Sequence, residues 1–128
     1  MSASMLPTAP IRVLIADDIP ELRTLLRTTL QGRGFQLVGE AGDGRETLAL
    51  AVDREPDVVV LDLGMPGVDG YGVVTRLRRE NGFDKVAFVA VTGSGLPEDL
   101  RRTREAGFDA HLVKPVTLGT LRQVLERF

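Results

Sequence analysis

The sequence predicts a doubly wound α/β domain, five parallel strands alternating with five helices, and three observations predict it. Short runs rich in Val, Ile, Leu and Phe recur five times with almost no polar interruption, as strands covered on both faces require. Segments of 3.6-residue periodicity separate these runs. Gly, Pro and Asp mark the boundaries. A chain of 128 residues fits one domain with one sizeable core.

The elements follow in order. Residues 1–10, MSASMLPTAP, are small, polar and Pro-containing, and read as a loose disordered tail ahead of a domain spanning 11–128. The strands are expected at Arg12–Ala16, Phe35–Ala41, Asp57–Leu61, Val86–Val91 and Ala110–Val113. Leu22, Leu25, Leu26 and Leu30 share one face of a first helix, and Leu118, Leu121, Val124 and Leu125 one face of the last. Pro20 and Pro97 suit first helical turns, the latter followed by Glu98 and Asp99 where the helix dipole favours acids. Asp43 with Glu46 resembles a capping box, and Asp69 is placed to cap the next helix. Gly32 or Gly34, Gly82 and Gly107 stand where helices should stop. The pairs Arg78–Arg79 and Arg101–Arg102 read as solvated helix surface. Right-handed crossovers leave the flavodoxin-like strand order 2-1-3-4-5 as the expected topology.

Composition excludes several function classes. Hydrophobic residues at 43% and charged residues at 27% describe a soluble globular domain rather than a disordered one. A net charge of −2 without blocks of like charge argues against nucleic-acid binding through a broad basic patch. The absence of cysteine removes thiol chemistry, disulfides and Cys-zinc sites. The apolar runs are too short to span a bilayer, and the start lacks a secretion signal, so a cytoplasmic location without membrane contact is expected. Gly42, Gly44, Gly64 and Gly67 make no dinucleotide-binding GxGxxG after the first strand.

The strand ends carry the chemistry. In such a sheet, ligands bind beyond the carboxyl ends of the strands where the winding reverses, here between strands 1 and 3. IRVLIADD ends in Asp17 and Asp18, and PDVVVLDLGMPG drives an apolar run into Asp62. Three converging carboxylates repel one another unless some protonate or a cation joins them. Oxygen ligands without His or Cys suit a hard ion, and an open cleft suits Mg²⁺ better than Ca²⁺. Thr92 and Lys114 end strands 4 and 5 and add a hydroxyl and an ammonium to the same rim. Acids, metal, hydroxyl and ammonium together suit a phosphoryl group. A carboxylate can itself attack phosphorus, and Asp62, set centrally in the strand order, is the candidate nucleophile.

ADD at 16–18, LDLGMPGVDG at 61–70, VTGSG at 91–95 and LVKP at 112–115 resemble, in order and spacing, the receiver domain of bacterial two-component response regulators. The stretch GFDAHLVKP is most similar to receivers of hybrid histidine kinase systems. The resemblance implies that Asp62 accepts a phosphoryl group from a histidine kinase or a histidine phosphotransfer protein. It implies Mg²⁺ held by Asp17, Asp18, Asp62 and the backbone carbonyl of Gly64, with Thr92 and Lys114 gripping the phosphoryl oxygens. It also implies a cis Lys114–Pro115 peptide and a Thr92-linked switch of the surface Leu96–Phe128 toward an unidentified downstream protein. The switch residue on strand 5 is commonly Tyr or Phe in that family, whereas this chain has His111, its only histidine. A switching role and a plain half-exposed strand position both remain open for it. The implied activity is that of a phosphoacceptor with self-dephosphorylation, not a metabolic enzyme, acting as a single-domain regulator.

Two competing functions make different demands. A phosphatase or phosphotransferase of the haloacid-dehalogenase type also uses Asp, Thr, Lys and Mg²⁺, but expects an acid two residues after the nucleophile, where this chain has Gly64. A flavin module on the same fold would meet three acids at its phosphate end.

Overall fold

The structure, a computed structural model, describes residues 9–18, 20–30, 34–65, 69–80 and 82–128, with nothing said of the side chains at 21, 22, 29, 30 and 118. Most of the expected tail, Gly32, Gly67 and the side chains of Leu22, Leu30 and Leu118 lie outside the described residues. The elements run β1 Ile11–Ala16, α1 Pro20–Leu30, β2 Phe35–Ala41, α2 Gly44–Arg54, β3 Val58–Asp62, α3 Gly70–Arg78, β4 Ala87–Thr92, α4 Pro97–Ala106, β5 Ala110–Val113 and α5 Leu118–Leu125. All neighbouring strands are parallel, in the order β2-β1-β3-β4-β5.

Strand periodicity divides the core in two. Val13, Ile15, Val58, Val60, Val89, Val91 and Leu112 face Leu26 of α1 and Leu121 and Leu125 of α5. Their alternates Leu14, Ala16, Val59, Leu61, Phe88 and Ala90 face α2 and α3, with Phe108 beyond α4. Successive strand residues point to opposite faces, so double coverage explains the unbroken apolar runs. Every residue of β3, the central strand, is buried, Asp62 included.

The helix ends follow local chemistry. Asp43 accepts the Glu46 N–H at 2.8 Å and Asp69 the Tyr71 N–H at 3.1 Å, supplying partners for otherwise orphaned donors. The reciprocal capping box lies elsewhere, between Thr117 and Thr120 of α5. Gly107 ends α4 at φ 115°, a conformation that side chains resist. Its N–H donates to the carbonyls of Arg104 and Thr103, and an added Cβ would meet Val74 Cγ1 at 3.2 Å.

Two expectations change. β3 and β4 each begin and end one residue later than expected, so Asp62 and Thr92 are the last residues of their strands. Ladder pairing of Asp62 with Val91 and of Thr92 with Val113 extends the strands, while Asp57 instead accepts the Arg12 N–H through its side chain. Arg78 is not solvated surface. Its guanidinium donates to the carbonyls of Phe83, Val86 and Gly107 and to Asp109, and lies 4.5 Å from the centre of the Phe88 ring. Its planar fork joins the end of α3 to two loops.

Candidate functional site

Sheet register assembles the site. Ala16 pairs with Leu61, which brings the residues that follow, Asp17 and Asp62, level at the carboxyl edge of adjacent strands. The Asp17 N–H donates to the Ala41 carbonyl at 2.9 Å, continuing the ladder past β1 and fixing its backbone. Asp17 and Asp62 each retain 1% exposure, while Asp18 is exposed. One carboxylate oxygen from each of the three acids lies within 4.8 Å of the others.

β4 and β5 complete the rim. The Lys114 N–H donates to the Thr92 carbonyl at 2.8 Å, and the Lys114–Pro115 peptide is cis. The Lys114 ammonium donates to Asp62 Oδ2 at 2.9 Å, and the Gly64 N–H to Asp62 Oδ1 at 2.7 Å. Asp62 is therefore held between a cation and a backbone donor. A Cβ at Gly64 would stand 3.2 Å from Asp62 Oδ1 and 3.5 Å from Lys114 Nζ. Any side chain there would crowd the carboxylate.

Thr92 is on the same edge with a different partner. Its hydroxyl accepts the Ser94 N–H at 3.1 Å, and no hydrogen bond joins it to Asp62 among the described residues. The Ser94 hydroxyl donates to the Asp99 carboxylate in the first turn of α4 and accepts the Leu96 N–H at 3.3 Å. This chain of bonds from Thr92 into α4 had no signal in the sequence, because a contact between a loop and a helix carries no periodicity. His111 is exposed on β5 beside Ala90 and lines a groove against α4, away from the acids.

The donor set fits Mg²⁺. Three carboxylates supply oxygen only, at short mutual distance, with a single ammonium nearby, leaving a negative excess that a divalent cation offsets.

Comparison with known proteins agrees with this geometry. Residues 13–126 match the family model of the response regulator receiver domain. The chain belongs to this family. This receiver is 38% identical over 118 residues to the transcriptional regulatory protein PdtaR of Mycobacterium tuberculosis, covering 91% of the chain and 56% of PdtaR. It thus spans about half the length of that relative. The chemotaxis response regulator CheY4 of Vibrio cholerae superposes with a TM-score of 0.85 at 31% identity, covering 92% of this chain and 98% of that one. The receiver domain of the sensor histidine kinase PA1611 from Pseudomonas aeruginosa, solved with magnesium coordinated in its active-site cleft, gives 0.80 at 25% identity, covering 93% and 97%.

The family is one of two-component signalling proteins, not metabolic enzymes, and nothing favours the haloacid-dehalogenase alternative. No helix among the described residues is long and apolar enough to cross a membrane.

Proposed function

We propose that Asp62 accepts a phosphoryl group from a phosphohistidine of a histidine kinase or histidine phosphotransfer protein. The observation that carries this reading is the buried Asp62 carboxylate, held between Lys114 and Gly64 beside the oxygens of Asp17 and Asp18. The carboxylate attacks phosphorus, a P–O bond forms as the N–P bond breaks, and the imidazole leaves with the electron pair. Asp17, Asp18 and Asp62 with the Gly64 carbonyl would hold Mg²⁺, which supplies positive charge opposite the phosphoryl oxygens when bound.

The remaining roles belong to the chain's own groups. Lys114 pairs with Asp62 before transfer and with a phosphoryl oxygen after it. Thr92 exchanges the Ser94 N–H for the phosphoryl group, and that exchange biases α4 and the surface Leu96–Phe128 toward a downstream protein. Water then hydrolyses the acyl phosphate through the gap beside Gly64 and Ser94, so the signal decays by self-dephosphorylation. We assign residues 11–128 as the receiver unit and place its activity in the cytoplasm. It performs this chemistry as a single domain or joined to further sequence.

Incubation with acetyl phosphate and Mg²⁺ followed by intact mass tests the reading. The expected result is a gain of one phosphoryl unit, lost in Asp62→Ala and lost again in EDTA. Turnover of phosphate esters with no adduct would overturn it. With Gly64 and the small Ser94 flanking the water path, phosphate loss is expected to be fast, and a phosphorylated form that survives many hours would contradict this.

A further inference from the structure

A groove of about 350 Å³ opens at the amino ends of β3 and β4, opposite the edge that carries Asp62. Its floor is Pro56, Phe83 and Val86, all buried. Val52 of α2 stands beside them at 60% exposure, the most exposed of four large apolar side chains that face water among the described residues. The other three, Leu96, Val113 and Phe128, belong to the surface Leu96–Phe128, so Val52 marks a separate apolar surface. The rim is acidic. Glu55, Asp57 and Glu80 line the groove against one ammonium, Lys85, and all four are exposed. None of the four enters an ion pair among the described residues. The charged residues adjoining the rim in sequence, Asp53, Arg54, Arg79 and Asp84, balance in sign. Arg12 reaches the same loop, where its guanidinium donates to the carbonyls of Arg54 at 2.6 Å and Glu55 at 3.3 Å.

We propose that this groove docks a protein segment presenting a basic side chain next to an apolar one. The basic group would answer Glu55 and Glu80, and the apolar one would cover Phe83 and Val86 beside Val52. A bare cation would satisfy the rim and leave the floor wet. Nucleic acid would meet three carboxylates and be repelled. Asp57 on the rim and Asp62 stand at opposite ends of β3, roughly 16 Å apart at the rise of an extended strand, so the occupant leaves the phosphoacceptor edge open. The inference goes beyond phosphoryl transfer and gives the chain a second attachment surface. Binding is read on the unphosphorylated chain, so its failure and a failure of phosphoryl transfer to Asp62 are separate results.

The test is a titration of the full chain, followed by backbone amide shifts, with a blocked peptide of alternating Lys and Leu. A matching Glu–Leu peptide and a Lys–Ser peptide, which keeps the charge without the apolar side chains, are the parallel probes. Shifts centred on Val52, Glu55, Phe83 and Lys85 with the Lys–Leu peptide alone are expected. Glu55→Gly combined with Glu80→Gln should weaken binding roughly tenfold, while Glu105→Gln, on α4 and outside the groove, leaves it unchanged. Glu55 has φ 49°, which glycine adopts freely, so the double variant is expected to fold, and preserved shifts elsewhere show it. Equal binding of the Glu–Leu or the Lys–Ser peptide would overturn the proposal. Shifts centred on Asp17, Asp18 and Asp62 instead, or shifts that follow protein concentration as in self-association, would also overturn it.

Discussion

At the scale of single residues, Gly64 shows how little space the site leaves. Its N–H holds one oxygen of Asp62, and a Cβ would approach both that oxygen and Lys114. Gly64→Val is therefore expected to slow uptake of phosphate from acetyl phosphate by roughly tenfold or more, because small misplacements of reacting groups are costly. Time-resolved intact mass checks this, and wild-type rates would contradict it. Asp18 is the exposed member of the acid group, so its replacement spares the core. Mg²⁺ at a hundredfold excess over its Kd should stabilise the wild type by about 2.7 kcal/mol, and Asp18→Asn should lose most of that gain. Urea unfolding in Mg²⁺ and in EDTA measures the difference. The acids, Thr92 and Lys114 were legible because each ends an apolar run. Ser94, Asp99 and the buried role of Arg78 were not, because their partners come from segments that only the fold brings near.

At the scale of elements, α4 is the weakly anchored helix. Thr103 is its only buried residue, and its two ends are tied by polar bonds, Ser94 to Asp99 at the start and Arg78 to Gly107 at the finish. Few apolar contacts mean low local stability. Ser94→Ala should speed amide exchange in the first turn of α4 while leaving α2 unchanged, as read by hydrogen exchange; uniform exchange would contradict this. Arg78→Ala removes a stack on Phe88 and the partners of several loop carbonyls. The expected cost is about 2–4 kcal/mol of unfolding free energy, and Arg78→Lys should recover little of it because the fork geometry is lost. Denaturant midpoints decide the matter. The strand boundaries were legible to within a residue, since propensity marks a run but ladder partners decide where pairing ends.

At the scale of the whole molecule, alternation of apolar runs with helical periods was enough to reach the strand order, because right-handed crossovers leave few arrangements. That order places the ends of β1 and β3 side by side and brings β5 within reach through Lys114. The groove beside His111 was not legible, since its lining comes from α4, β5 and the residues after α5, which only the fold brings together. The central claim is that this edge of the sheet delivers phosphate to one carboxylate among three. Borohydride reduction of the protein phosphorylated by acetyl phosphate and Mg²⁺, followed by peptide sequencing in the mass spectrometer, tests it most directly. Homoserine at position 62 and at neither 17 nor 18 is the predicted result; homoserine at another acid, or none anywhere, would contradict the account.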